Sequence, residues 1–583
     1  MHGRSVIAAL VVAAPVLLFG AFVSPPAVAQ SNPAVEEADD PNAGGTDPAD
    51  QQTATPDPAT PDSALPAPAD PSAEAAAPAG EPSPAPGEPS VTQVQTVDIP
   101  APGSPLVEAI RTKAADPALR QGATAEDLNA LVAFYNSRGE AVWMTDMGFS
   151  SEAQAAIDEI LKAEDWGLTS SAFDLPSAGD LPDSVDKQAI GEIKLDLAIL
   201  KYARYARGGR TDPDKLKNVD MTPTFRDPKI VLTEVAAAPE PDAYLQSLHP
   251  KHEQFQRLHQ ALLKARAESE AGAKPRDMQR IIVNMERWRW MPENLGDLHL
   301  QLNVPEFMMY VVKNGKTIES EKIVVGKPVY ATPIFSADLK SIVFNPEWTV
   351  PSTIIREDLL PRLRGGGGGL FGSNTSILKQ HQLNVNYNGK RVDPSSIDWN
   401  RVNMGAISFT QAPGPTNVLG KVKFLYPNRH SVYMHDTIKR NLLDLTVRSE
   451  GHHCPRVANP GKVAAVVLAE DQGLPQAEVD KLLAKGYNSG VSLRHRVPVH
   501  TTYFTAVVDE EGRVKSFADV YSLDGGVAAA ILGKGAQPAA VADNAEPTPP
   551  KPQAAPSADP APTSAVRSSP PPPPATGFAG AAP

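Results

Sequence analysis

The spacing of apolar residues divides the chain into regions with different secondary structure. Between residues 106 and 277, apolar residues return every three or four positions, which is the period of a helix that covers a core. Thr124 opens one such run and Gly208-Gly209 ends another, as expected for residues at helix termini. The apolar stripes are Leu128, Leu131, Val132 and Tyr135, and then Ile190, Ile193, Leu197 and Leu200. The pattern predicts a helical domain, and because it contains no pair of reactive residues we expect it to be a structural support.

From about residue 278 the pattern changes to alternation. Leu298, Leu300, Leu302 and Val304 alternate with polar residues, which is typical of a strand with one buried face. Asn314-Gly315 lies between the strand-like runs 307–312 and 317–325, and this dipeptide favours a tight hairpin turn. Residues 278–472 are therefore predicted to form a mainly β domain.

A long segment interrupts this β pattern. Residues 352–412 contain the run 356–363, five glycines at 365–369 and a polar stretch that includes His381 and Trp399. An insertion bordered by so many glycines is predicted to be either a lid over a cleft or a solvated surface loop.

The region 473–530 is predicted to be a C-terminal extension of the β domain. Before it, Asn459-Pro460 is typical of the start of a helix, because proline at the first helical position has no N–H to satisfy. A second helix is predicted at 476–483. A hairpin is then predicted to pair 497–508 with 514–521 around the polar turn 509–512.

Composition sets both ends of the chain apart. Residues 1–29 have a basic start, an apolar run and Ala27-Val28-Ala29 before Gln30, which indicates a cleaved secretory signal peptide; the alternative is an uncleaved membrane anchor. Residues 30–105 and 535–583 are rich in proline and alanine and are predicted to be disordered, because they offer too little apolar surface to form a core. Export from the cytoplasm is the expectation, with membrane contact only if the anchor is retained.

Charge follows the same division. The formal net charge is −14, but residues 30–100 contain thirteen acidic residues and neither lysine nor arginine, which leaves −1 for the rest. A nearly neutral folded part gives no reason to expect a nucleic-acid partner. No motif indicates a cofactor or a resident metal. The fold class is predicted to be α+β, with a helical N-terminal domain, a mainly β domain and disordered flanks.

The candidate chemistry lies at the one cysteine of the chain, Cys454. A thiol at its ordinary pKa is mostly protonated near neutral pH and needs a base to become a good nucleophile. His452 and His453 are adjacent to it, so backbone geometry limits how they can approach the sulfur. His435 follows a short strand-like run nineteen positions earlier and is the better candidate for the general base. The alternatives are an inert buried cysteine and a zinc site made of these histidines and the thiol.

The residues beside Cys454 suit acyl transfer. The backbone amides of His453 and Cys454 are candidates for an oxyanion hole, whereas Pro455 has no N–H to offer. Arg456 is a candidate for binding a substrate carboxylate, with a structural ion pair as its alternative.

Several motifs together resemble the L,D-transpeptidases, in the branch with an N-terminal helical scaffold domain and a YkuD-type catalytic domain. The resemblance spans about residues 120–525 and rests on a series of ordered motifs. They are the residues 284–290 (NMERWRW), 411–417 (QAPGPTN), 419–424 (LGKVKF), 427–428 (PN), 432–437 (VYMHDT) and 454–457 (CPRV).

This resemblance implies a periplasmic enzyme that acts on peptidoglycan stem peptides without a cofactor. It implies that Cys454 attacks a diaminopimelate carbonyl, that D-alanine leaves, and that the acyl group passes to an amine. The amine of a second diaminopimelate gives a 3→3 cross-link, whereas in some members an outer-membrane protein is the acceptor. By motif position His435 is the base, and Tyr433, Arg456, His452 and Trp348 are implied to contact substrate. The insertion after Trp348 corresponds to a substrate-capping lid.

The chain departs from the family pattern in two places. Relatives carry glycine directly before the cysteine, whereas this chain has His453, which would be strained if the backbone there needed a positive φ. Relatives also often carry a peptidoglycan-binding module before the motif at 284–290, and residues 250–278 are too short to contain one. The competing functions are an L,D-carboxypeptidase, which uses water as acceptor, and a non-catalytic peptidoglycan-binding protein.

Overall fold

The structure is a computed structural model that describes residues 103–119, 122–145, 147–177, 184–273, 277–365 and 375–533. The predicted signal peptide at 1–29, nearly all of the predicted linker at 30–105, the glycine run after Gly365 and the predicted tail at 535–583 lie outside the described residues. Two compact units are present: residues 348–412 form one, and the rest of the described chain forms the other. No described helix is both long enough and apolar enough to cross a membrane.

The N-terminal region is helical, as its apolar stripes predict. Thr124 caps one helix with a reciprocal pair of hydrogen bonds to Asp127, and Gly209, at a φ of 88°, ends the longest helix. The helices are α1 (Pro105–Lys113), α2 (Ala125–Arg138), α3 (Ser151–Leu161), α4 (Val185–Gly208), α5 (Pro228–Ala237), α6 (Pro241–Ser247), α7 (Glu253–Glu270) and α8 (Met278–Arg289). Three two-residue strands, β1 (Met144–Thr145), β2 (Gly148–Phe149) and β3 (Val219–Asp220), interrupt them. Helix α1 begins at Pro105, one residue before the predicted start of the helical domain.

A buried polar network holds the helical region together. The Tyr135 hydroxyl lies 2.6 Å from Glu192 and 2.7 Å from Asp196, and the indole N–H of Trp143 donates to Asp196 at 2.7 Å. Burial and the neighbouring Glu192 raise the pKa of Asp196 to about 8, so this carboxyl keeps its proton at neutral pH. Tyr135 can therefore donate to Glu192 and accept from Asp196, which satisfies all three groups across α2 and α4.

The β domain is built on one sheet that closes on itself. Its first strands are β4 (Leu298–Asn303), β5 (Met308–Lys313), β6 (Lys316–Gly326) and β7 (Ile334–Phe344). Asn314 and Gly315 have φ values of 48° and 75°, and they form the predicted hairpin turn between β5 and β6. The later strands are β12 (Val422–Leu425), β13 (Met434–His435), β14 (Ser449–Gly451), β15 (Arg456–Val457) and β16 (Ser489–Thr502). The pairing order is β12-β13-β15-β6-β5-β4-β16-β7, and β7 also pairs with β12.

The segment 348–412 forms a small fold of its own. Strands β8 (Trp348–Thr349), β9 (Leu383–Tyr387), β10 (Lys390–Val392) and β11 (Ile407–Gln411) form a separate four-stranded sheet. It also contains the short helices α9 (Ser352–Ile354), α10 (Leu360–Gly365) and α11 (Ser376–Gln380). Leu363, Val385, Trp399 and Phe409 are buried in its apolar core. A core of this kind contradicts the surface-loop alternative for this segment.

The last described elements are α12 (Pro460–Gln472), α13 (Gln476–Ala484), β17 (Ala506–Val508), β18 (Val514–Ser516) and α14 (Asp524–Leu532). The predicted hairpin between 497–508 and 514–521 is wrong over most of its length, because only β17 and β18 pair with each other. Residues 497–502 belong to β16, which runs between β4 and β7 in the large sheet. Every residue from Val497 to Thr502 is buried, as expected for a strand covered on both faces.

Candidate active site

Cys454 lies in a bend between β14 and β15, beside the strand that carries His435. The backbone N–H of His435 donates to the carbonyl of Pro455 at 3.1 Å, and His435 is the register partner of Arg456 in the parallel pair β13–β15. Side chains on a strand alternate between its faces, so His435 and Arg456 share one face. The sheet thus brings together residues that are about twenty positions apart in the chain.

Lys423 completes a row across three strands. It is the register partner of His435 on β12, so Lys423, His435 and Arg456 stand side by side. Its ammonium lies 4.2 Å from the centre of the Tyr433 ring, and the Tyr433 ring lies 5.8 Å from the imidazole of His435. No carboxylate among the described residues forms an ion pair with Lys423. The sequence reasoning did not single out this lysine.

The electrostatics of this row favour a neutral histidine. Burial, with the positive charges of Arg456 and Lys423 beside it, lowers the pKa of His435 to about 3. Burial raises the pKa of the half-buried Cys454 to about 11, although a backbone hydrogen bond from Tyr433 and the charges of Lys423 and Arg456 act in the opposite direction. A neutral imidazole is available to take a proton, and the two cations favour the thiolate that would result.

The bend before Cys454 is fixed by hydrogen bonds from β6 and the segment after it. The Thr332 hydroxyl donates to the His453 carbonyl at 2.8 Å and accepts from the Gly326 N–H at 3.0 Å. The N–H of Lys327 donates to the Gly451 carbonyl at 2.8 Å. His453 is not among the described non-glycine residues with positive φ, so the strain that its place before the cysteine suggested is not present.

Gly326 provides the space for this arrangement. A Cβ on Gly326 would lie 1.9 Å from the carbonyl oxygen of Tyr330 and 3.0 Å from that of His452. Glycine is therefore needed for the close approach of these two backbones. The ring of Tyr330 in turn stacks on His452, with 4.1 Å between the ring centres and 18° between the planes.

Asp436, the residue that follows β13, anchors the strand that carries His435. The buried carboxylate of Asp436 accepts from the N–H of Lys421 at 2.9 Å and from Arg440 at 2.8 Å. Gly420 has a φ of 62°, and a Cβ there would lie 2.4 Å from the Asp436 carboxylate. This contact fixes β12 next to β13 and so fixes Lys423 beside His435.

Most of the predicted site residues lie close together, but Trp348 belongs to the other unit. His435 and Arg456 are partners on β13 and β15, Tyr433 directly precedes β13, Cys454 lies in the bend before β15, and His452 packs against Tyr330. Trp348 is the register partner of Gln411 in the sheet of the 348–412 unit.

No three metal-binding side chains come together in the described part of the chain, so His435, His452, His453 and Cys454 do not form the cluster that the zinc alternative requires.

Comparison with known protein families agrees with this architecture. A model described as a scaffold domain matches residues 129–262, and a model described as the L,D-transpeptidase catalytic domain matches residues 297–472. The chain therefore contains a scaffold domain and an L,D-transpeptidase catalytic domain. The resemblance drawn from the motifs and the α+β fold class are thereby confirmed, whereas the individual roles of the site residues and the predicted domain boundaries stay predictions.

One curated relative can be compared directly. A protein from Haemophilus influenzae with the name "Putative L,D-transpeptidase" is 31% identical over 249 residues, which are 42% of this chain and 48% of that protein. The chain therefore spans about half the length of the curated relative that it matches.

Proposed function

We propose that this protein is a peptidoglycan L,D-transpeptidase that forms 3→3 cross-links through a cysteine acyl-enzyme in the periplasm. The observation that carries the proposal is the register of β13 and β15, which sets His435 against the residues that follow Cys454. The match of residues 297–472 to the catalytic-domain model supports the reaction class.

In the first half of the reaction, His435 takes the thiol proton of Cys454 and the sulfur attacks the amide carbonyl of the stem peptide. The carbon–sulfur bond forms as the carbonyl oxygen becomes an oxyanion, which backbone N–H groups at the bend would stabilise. The carbon–nitrogen bond then breaks, and the departing D-alanine amine takes the proton from His435. The products are a thioester on Cys454 and free D-alanine.

In the second half, an acceptor amine attacks the thioester. His435 takes a proton from the attacking nitrogen, the carbon–sulfur bond breaks, and the sulfur of Cys454 regains a proton from His435. A diaminopimelate side-chain amine as acceptor gives a 3→3 cross-link. Lys423 and Arg456 would favour the thiolate at both stages, because their positive charges lower the free energy of a negative sulfur.

Analysis of muropeptides tests the proposal. Sacculi are incubated with the purified protein, digested to muropeptides and examined by mass spectrometry, with Cys454→Ala as the matched control. We expect tetrapeptide monomers to decrease and 3→3 dimers to appear only with the unaltered protein. Tripeptides without dimers would assign the protein as an L,D-carboxypeptidase, and stems joined to an added outer-membrane protein would assign a protein acceptor. Sacculi that bind the protein but stay chemically unchanged would favour the non-catalytic alternative.

A further inference from the structure

The helical region contains a pocket far in sequence from Cys454. It has a volume of about 290 Å³ and lies between the end of α4, residues 224–226 before α5, and the start of α7. Its lining is mostly polar and includes Arg207, His249, Lys251, His252 and Glu293. None of these residues takes part in the proposed reaction at Cys454.

Arg207 is the central group of this pocket. Only 8% of the residue is exposed, yet neither terminal guanidinium nitrogen has a hydrogen-bond partner within the described residues. The nearest acidic atom belongs to Glu293, at 3.8 Å, and the Glu293 side chain is 77% exposed. A buried guanidinium that lacks hydrogen bonds is costly, because it has given up water without gaining other acceptors. Arg207 therefore brings a guanidinium with unsatisfied terminal nitrogens to the wall of the pocket.

The charges around Arg207 also favour an anion. Lys251 adds a second positive charge at the rim, whereas Arg226 is already held by Glu234 through two hydrogen bonds of 2.6 and 3.0 Å. His252 is the N-cap of the 18-residue helix α7, and no side chain caps that helix start. The positive end of a helix dipole thus adjoins the pocket. Glu293 is the one acidic residue in the lining, and its exposed carboxylate lies 3.8 Å from the Arg207 guanidinium, where it would compete with an anionic ligand.

We propose that this pocket binds a carboxylate of a peptidoglycan stem peptide and so holds the polymer on the helical region during the reaction at Cys454. The planar fork of Arg207 matches the two oxygens of a carboxylate, and stem peptides carry several free carboxylates. The inference rests on the proposed function for the choice of polymer, whereas the preference for an anion rests on the pocket alone. Relatives often carry a separate peptidoglycan-binding module before residues 284–290, where this chain has only α7 and α8. The pocket would give this protein a contact with the polymer that does not need such a module.

Binding to sacculi in a Cys454→Ala background tests this site without any acyl transfer. The full chain is sedimented with sacculi over a range of protein concentrations, with Arg207→Met, Lys251→Met and Glu293→Gln as variants. Lys264→Met, an exposed lysine on α7 outside the pocket, is the matched control. Circular dichroism and thermal unfolding verify that each variant is folded.

We expect Arg207→Met to weaken the apparent affinity about tenfold, as for the loss of a charged hydrogen-bonded contact. Lys251→Met should weaken it less, about twofold to threefold, because its ammonium is exposed. Glu293→Gln should strengthen binding, since it removes the internal competitor for Arg207; a merely structural role of Arg207 does not predict this gain. Lys264→Met should bind as the parent does.

Chemical modification of the polymer identifies the ligand group. The carboxylates of the sacculi are converted to amides, and binding of the parent protein is measured again. Its affinity for the amidated sacculi should be no higher than the affinity of Arg207→Met for native sacculi. Displacement by inorganic phosphate, at an ionic strength matched with chloride, would instead assign the pocket to free phosphate and overturn the peptide assignment. Equal binding by Arg207→Met, Glu293→Gln and the parent would overturn the site altogether, even if muropeptide analysis shows cross-linking. Conversely, Arg207-dependent binding by a protein that forms no cross-links would retain the site and reject the proposed reaction.

Discussion

At the scale of single residues, the positive charge of Lys423 has an effect on the proposed reaction that a substitution can test. It stands beside His435 on the next strand, over the ring of Tyr433, with no acidic partner among the described residues. Its positive charge opposes protonation of His435 and favours ionisation of Cys454. Removing that charge must therefore raise the pKa values of both groups.

We predict that Lys423→Met moves both limbs of the pH profile for Cys454 acylation to higher pH. In the unaltered protein the acid limb should reflect His435, with a pKa of about 3, and the alkaline limb Cys454, with a pKa of about 11. The rate near neutral pH should fall about tenfold in the variant, which corresponds to about 1.4 kcal/mol of lost electrostatic stabilisation. The measurement is the rate of carbapenem adduct formation, followed by mass spectrometry as a function of pH.

Two further variants control for changes in packing. Lys423→Arg retains the charge and should leave both limbs near their original positions. Lys421→Met removes an exposed lysine two positions earlier and should have no effect on the profile. A uniform loss of rate in Lys423→Met, with unchanged limbs, would show that the lysine acts on substrate binding rather than on the two titrating groups.

The sequence singled out His435 and Cys454 as candidates because a thiol that acts as a nucleophile needs a base, and histidine is the usual one. It could not identify Lys423, because a lysine between Val422 and Phe424 is equally consistent with the solvent face of a strand. Its role depends on which strand lies next to β12, and that pairing is set by contacts far apart in the chain. The negative φ of His453 was equally inaccessible, since only the folded bend defines it.

At the scale of elements, the C-terminal extension supports the bend that presents Cys454. The hydroxyl of Tyr521 donates to the Gly326 carbonyl at 2.7 Å and accepts from the Thr332 N–H at 3.2 Å. Thr332 in turn donates to the His453 carbonyl. A residue well outside the matched catalytic-domain region thus positions the residue before Cys454.

We predict that Tyr521→Phe lowers kcat about tenfold with little change in KM, because a displaced bend misaligns the sulfur and its base. The free energy of unfolding should also fall by about 1–3 kcal/mol, since two buried backbone groups lose their partner. Steady-state kinetics on a soluble tetrapeptide and denaturant unfolding measure the two effects.

Tyr503→Phe is the matched control for this prediction. Tyr503 stacks near Tyr521, but its hydroxyl donates to Asp519 at 2.6 Å and accepts from the Tyr521 N–H, so it does not reach Gly326 or Thr332. It should lose similar stability and retain most of its kcat. A similar loss of kcat in both variants would mean that general softening of the extension, rather than the position of the bend, limits the reaction.

Local patterns predicted the helices and the β5–β6 hairpin well, because capping residues and turn residues act within a few positions. The final hairpin failed because residues 497–508 and 514–521 both resemble strands and are close in sequence. In the fold, β16 gains more from pairing with β4 and β7 on both sides than it could from one short partner. A local sequence pattern does not show whether a strand will pair with a neighbouring strand or with one that is distant in the chain.

At the scale of the whole molecule, a buried ion cluster joins the last helix of the N-terminal region to α14, the last helix that the structure describes. Asp524, at the start of α14, lies 2.6 Å from the Arg287 guanidinium on α8 and accepts from the Thr505 hydroxyl at 2.9 Å. Asn284 donates to the same hydroxyl and accepts from the Thr505 N–H. All four side chains are nearly or fully inaccessible to solvent.

We predict that Asp524→Asn lowers the free energy of unfolding by about 3 kcal/mol, because it leaves Arg287 as a buried charge without a carboxylate. Glu478→Gln removes one member of an exposed pair with Lys481 and should cost less than about 0.5 kcal/mol. Denaturant unfolding of both variants gives the comparison. A loss below about 1 kcal/mol for Asp524→Asn would show that water or rearrangement satisfies Arg287.

The 348–412 unit begins and ends at paired residues, since Trp348 in β8 lies opposite Gln411 in β11. A segment whose first and last residues are neighbours can be lengthened, shortened or exchanged without altering the path of the chain before or after it. Its separate apolar core means that such a change would not have to be compensated elsewhere in the protein. Descendants of one ancestral gene could therefore diversify in this segment while the strand that carries His435 and the bend that carries Cys454 remained unchanged.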